Sequence, residues 1–217
     1  MDSMIYKPYV RLNNPIYLLR QVKELLKIAR EYKNSSSLIY ATLECRIALE
    51  LLELNFLLHL VKGEEREQII IDSKPKNGID RVNSKVGSLK YKYQFFLQAI
   101  CEILGIGNER FNYKTSKDLQ YKVSTYVHSY HMNDSDLKYN SDNMQNCLIL
   151  ILEVDGFIKS SMPYKNGTWT MLGMEISSMT ENDREIFEEW KVSNKMTYDE
   201  LKEKLSKNHK TRTKPVE

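Results

Sequence analysis

The sequence predicts an all-α protein: an antiparallel five-helix bundle over residues 1–162, followed by a small C-terminal appendage over 163–217. Three observations carry this. Apolar residues recur at three- and four-residue spacing in five separate segments, the period of one helix face. Cap and stop residues bracket those segments. One segment, LIYATLECRIALELLELNFLLHLV, is apolar nearly all round and calls for a central position.

The first helix is expected from about residue 15 to 33. Asn14 caps it, Pro15 suits its first turn, and Leu18, Val22, Leu25, Leu26 and Ala29 line one side. The stretch NSSS opens the second helix, expected from about 36 to 62 with Gly63 as its stop. Its polar residues, Thr42, Arg46, Glu50 and Glu53, form one stripe. Residues 63–86 are charged and punctuated by Pro75, Asn77 and Gly78, which reads as a surface loop with room for a short helix. A third bundle helix follows Ser88 and stops at Gly105. Thr115 and Ser116 begin a fourth, expected from about 116 to 132. The fifth runs from about 141 to 161, ended by Pro163. In the appendage, YKNGTWTMLGMEI contains a turn and a candidate strand pair. Thr180 opens a short helix, and Thr197 with Glu200 makes a capping box for the last one.

Composition narrows the function classes. The chain has 217 residues, 41% hydrophobic and 28% charged, as in a soluble globular protein. A net charge of +3 is too small to be a nucleic-acid footprint by itself. The longest apolar segment carries Glu44, Arg46, Glu50 and Glu53, which speaks against a membrane span. The N-terminus lacks a signal-peptide pattern, and Cys45, Cys101 and Cys147 stand far apart in apolar runs. Together these point to reduced thiols in a cytoplasmic protein. There is no Gly-rich phosphate loop, no zinc spacing of Cys and His, and no GxSxG, so no cofactor is expected.

The chemistry-bearing stretch is YKVSTYVHSYHM, residues 121–132. On a continuous helix, Leu119, Val123, Tyr126, Val127 and Tyr130 share a core face. Gln120, Ser124, His128 and His131 share the opposite, polar face. Two histidines three residues apart can reach one metal ion, but the sequence supplies no convincing third and fourth ligand, so no metal is expected. Metal-free RNA cleavage is the other chemistry such a face offers. It needs a proton acceptor for the ribose hydroxyl, a donor for the leaving oxygen and a cation for the phosphorane.

The runs LECRIALELLEL and YKVSTYVHSYHM resemble the HEPN superfamily, over roughly residues 15–162. The resemblance implies an all-α domain of bacterial defence, toxin–antitoxin or growth-control systems. Catalytic members are metal-independent endoribonucleases that commonly act as dimers and carry an arginine, four to six intervening residues, then a histidine. Other members are inactive binding or regulatory modules. Carried onto this chain, His128 would be the acid/base, with Ser124 and His131 orienting substrate and Lys122 or Arg46 supplying charge. The chain departs from the pattern where the arginine should be. Lys122 stands six residues before His128, and Lys lacks the planar fork that grips phosphate. On one helix, six residues also turn the pair about 120° apart.

The expected function is therefore a non-catalytic interaction or regulatory subunit, as a homodimer or with a protein partner. A metal-independent endoribonuclease using His128 is the alternative. A second alternative is an RNA- or DNA-binding regulator, for which LKYKYQFF offers interleaved lysines and aromatics. In the appendage, Ile186, Phe187 and Trp190 form an apolar patch expected either to pack back or to grip a partner.

Overall fold

In the computed structural model, residues 10–108, 110–161, 168–169 and 174–212 are described, and they are overwhelmingly helical. The order is α1 (Pro15–Tyr32), α2 (Ser35–His59), α3 (Gly63–Ser73), α4 (Gly78–Val86), α5 (Leu89–Leu104), β1 (Gly107–Asn108), α6 (Tyr113–Val127), α7 (Asp142–Ser161), β2 (Thr168–Trp169), α8 (Glu181–Val192) and α9 (Tyr198–Arg212). Single 3-10 turns lie at Ser129–His131 and Ile176–Ser178.

Local chemistry accounts for most helix ends. Asn14 Oδ1 accepts from the Ile16 and Tyr17 amides at 3.0 and 3.2 Å, with Pro15 in the first turn. Lys33 closes α1 in the left-handed region at φ 51°. At α9, the Thr197 amide donates to Glu200 Oε2 at 2.7 Å, and the Glu200 amide donates to Thr197 Oγ1 at 3.3 Å, a reciprocal capping box.

Two local expectations fail. Gly63 does not stop α2, which already ends at His59. Its φ of +53° instead opens α3, where Glu64 and Glu65 occupy the first turn and favour the positive helix end. The charged stretch 63–86 is thus two helices, anchored by Ile69 and Val82, which are buried. The candidate strand pair within 164–176 is also different. Thr168 and Trp169 pair in parallel with Gly107 and Asn108 rather than with a neighbouring strand, and the rest of that stretch outside 174–176 lies beyond the described residues.

The chain forms two compact units, and they do not divide at residue 162. The first comprises residues 1–53 and 112–160, the second residues 54–111 and 161–217. In the first, α1, α6, α7 and α2 up to Glu53 enclose Leu18, Val22, Cys45, Leu49, Val123, Met144, Ile151 and Val154. In the second, aromatic rings join α5 to α8. Phe187 lies edge-on to Phe96 at 5.0 Å and to Tyr93 at 6.2 Å, and Phe56 stacks on Phe111 at 5.1 Å. The C-terminal helices therefore share a core with residues 54–111 and are no appendage.

Lys92 ties the same elements through polar groups. Its Nζ donates to the carbonyls of Trp190, Lys191 and Ser193 at 3.1, 2.9 and 2.8 Å, satisfying the C-terminal end of α8. In return, Trp190 Nε1 donates to the Lys92 carbonyl at 2.8 Å. Lys92→Met removes three charge-assisted bonds and should lower stability by about 1–3 kcal/mol. Phe187→Ala should cost about 3–5 kcal/mol. Urea denaturation measures both, and both midpoints should fall without any added partner.

Candidate functional site at the end of helix α6

Helix α6 begins where Asn112 Oδ1 accepts from the Thr115 amide at 3.0 Å, three residues earlier than Thr115–Ser116 would start it. Leu119 and Val123 are buried, as the periodicity requires. Part of the polar side of its first two turns is engaged with α2. Glu53, fully buried on α2, accepts from Lys117 Nζ at 2.9 Å and from Gln120 Nε2 at 3.0 Å. Burying a carboxylate requires such partners, because an unpaired charge in the interior is strongly disfavoured. The stripe on α2 accordingly splits in character. Thr42 is buried and donates to the Ile39 carbonyl at 2.7 Å, whereas Arg46 and Glu50 are partly exposed and pair at 3.0 Å.

The helix ends one residue before the histidine. The His128 amide makes the last bond, to the Ser124 carbonyl at 3.0 Å, while its φ of −97° and ψ of 46° leave helical geometry. Ser129–His131 then tightens into a 3-10 turn, closed by Met132 N–H donating to the Ser129 carbonyl at 2.9 Å. The expected polar face of Gln120, Ser124, His128 and His131 therefore does not exist as one face. Tyr130, expected in the core, is 90% exposed. Its ring sits edge-on to His128 at 6.3 Å and to His131 at 5.8 Å, and both histidines are exposed. In the loop that follows, Ser141 Oγ donates to the Asp136 carbonyl at 2.6 Å, and across it Tyr126 Oη of α6 donates to the Asn143 carbonyl of α7 at 3.3 Å. Burial raises the Tyr126 phenol above its ordinary pKa, so it stays protonated and a donor.

The other site residues are placed as follows. Ser124 Oγ donates back to the Gln120 carbonyl at 2.6 Å, a bond internal to the helix. Lys122 Nζ lies 4.0 Å from Glu153 Oε1 on α7, with both side chains about half exposed. Arg46 Nε is taken by Glu50. No cation is brought against His128 by any recorded bond or ion pair among the described residues. Among those same residues no three His, Cys, Asp or Glu side chains gather to hold a metal ion. The three thiols are buried and free, and desolvation raises all of them, Cys147 up to about 12.

The C-terminal patch is corrected by its burial. Phe187 is fully buried and Trp190 nearly so, while Ile186 is only partly covered. Phe187 packs on Phe96 and Tyr93, and Trp190 donates to the Lys92 carbonyl, so these two large side chains are engaged within the chain. The LKYKYQFF run is divided likewise. Lys92 and Tyr93 turn inward, with Tyr93 Oη donating to the Met174 carbonyl at 2.5 Å, and Tyr91 alone of the first two tyrosine positions is exposed.

What sequence reasoning missed is the Glu53–Lys117–Gln120 contact. Its signal was a carboxylate inside an otherwise apolar helix, together with a lysine and a glutamine three residues apart. No family model, curated protein or solved structure matches the chain.

His128→Ala, Tyr130→Ala and His131→Ala should each shift stability by no more than about 0.5 kcal/mol, because these side chains are exposed. Glu53→Ala should cost about 1–3 kcal/mol by removing the buried acceptor that Gln120 and Lys117 share. Chemical denaturation of the four variants compares them directly.

Proposed function

We propose that this chain is an HEPN-like helical module of bacterial defence or growth control that works by binding rather than by cutting RNA. Of the five helices expected for such a bundle, α1, α6, α7 and α2 up to Glu53 share the first unit, and α5 belongs to the second with the rest of α2. The observation that carries the reading is the state of the cations. Arg46 is paired with Glu50, Lys122 faces Glu153, and His128 lies past the helix that holds Lys122. A cleavage site needs a cation beside its acid/base group, poised for charge that develops on phosphorus. The exposed Tyr130, flanked by two imidazoles, is a surface suited to contact with a partner, either a second copy or another protein.

One observation favours ribonuclease activity instead: both imidazoles are open to solvent, so a substrate could reach them. A second protomer would then have to supply the cation. Incubation of purified protein with total cellular RNA in the presence of a chelator separates the two. Binding function predicts intact RNA with both wild type and His128→Ala. Cleavage by the wild type that the variant loses would establish the endoribonuclease.

A further inference from the structure

In the second unit, the start of α3 and one face of α8 border an open recess of about 660 Å3. Arg184, Glu188 and Lys191 line it from α8, at the four- and three-residue spacing of a single helix face. Arg184 is the anomaly among them. Its Nε is buried, and among the described residues it has no hydrogen-bond partner. Buried polar groups in folded proteins are nearly always bonded, and a guanidinium carries its charge at any working pH. A buried N–H of this kind calls for an acceptor. The remaining donors of the recess suit the same acceptor. Lys62 lines it and occupies the N-cap of α3 without a side-chain cap bond, which leaves the first amides of that helix to outside partners. Gly63 keeps the approach open, since a side chain built there would meet nothing within 4 Å. Two of the carboxylates are already engaged: Glu65 and Glu188 both pair with Lys191, at 3.3 and 3.7 Å. Glu64 also lines the wall, so three cations stand against three carboxylates among its described residues. The recess has no positive excess to draw in a multiply charged ion. What it offers is directed donors.

We propose that this recess binds the carboxylate of a small monoanion, held by Arg184. A guanidinium matches a carboxylate fork to fork, with Nε and one Nη donating in parallel to the two oxygens. That pairing gives the buried Nε the acceptor it lacks. Lys62 and the first amides of α3 supply further donors at the wall. A single negative charge balances the guanidinium, whereas phosphate brings a second charge against Glu64, Glu65 and Glu188. The inference goes beyond the binding role proposed above and is independent of the histidine cluster, which lies in the first unit.

The test titrates the full chain with sodium acetate, and separately with sodium chloride and sodium phosphate at matched ionic strength. It follows the backbone amide resonances together with that of Arg184 Nε–H. Acetate should shift Arg184 Nε–H and the Gly63 and Glu64 amides saturably, with roughly millimolar affinity. Phosphate should bind more weakly, and chloride should give no saturable shift at Nε–H. Arg184→Lys, which keeps the charge and loses the fork, should weaken acetate about tenfold, with the Gly63 amide as reporter. The wild-type titration decides the proposal whether or not that variant folds. Absence of a saturable acetate shift at Arg184 Nε–H would overturn it. So would phosphate binding as tightly as acetate, the same response to chloride, or acetate affinity unchanged in folded Arg184→Lys.

Discussion

Helix α2 is the constraint on which the rest of the structure depends. It is 25 residues long, about 37 Å at 1.5 Å per residue, and apolar on almost every side. A helix with one apolar face needs one layer against it. A helix apolar nearly all round must be covered from several directions. The chain answers with two separate sets of elements. Up to Glu53, α2 is packed with α1, α6 and α7. From Leu54 onward it belongs with α5 and the C-terminal helices. Phe56 is the clearest product of this second set, fully buried with Tyr93 and Phe111 around its ring.

Covering such a helix forces its polar residues to be dealt with individually. Thr42 returns its hydroxyl to its own helix, and Glu53 takes a lysine and a glutamine from α6. Lys92 does the reverse job in the second unit, carrying charge to a helix end whose carbonyls have no amide partners. For Glu53 and Lys92 the polar group also specifies which element packs there, because its partners come from α6 and from the end of α8. The same requirement explains why Lys92 and Tyr93 cannot serve as a nucleic-acid surface.

The helices legible in the sequence were those whose signals are local. Asn14–Pro15 and the Thr197–Glu200 box set ends through bonds within four residues, and α1, α5 and α7 follow their apolar period. Gly63 misled because a glycine with positive φ serves equally at the end of one helix and the start of the next. Only the geometry after it distinguishes the two. The division of the chain was not legible at all. That Phe187 packs on Phe96 is a contact across 91 positions, and nothing in the spacing of either helix announces it. An Ile-Phe-Trp-bearing helix looks the same whether its apolar side meets its own chain or another.

The site turned on where α6 ends, at Val127 rather than at residue 132. Had α6 continued to residue 132, His128 and His131 would stand on the face that carries Gln120 and Ser124. Since Gln120 reaches buried Glu53, that face leads toward the interior of the unit. Ending at Val127 releases both imidazoles from it and swings Tyr130 outward with them. Periodicity cannot foresee this, because YVHSYHM keeps a helical pattern to its end. In the loop beyond, Ser141 and Asn143 hold the Asp136 carbonyl, and the Asn143 carbonyl accepts from Tyr126. The turn at 129–131 is closed by its own bond, from the Met132 amide to the Ser129 carbonyl, which no apolar period announces. A histidine pair read as one helical face is thereby a solvent-facing turn, and its chemistry depends on what approaches it from outside.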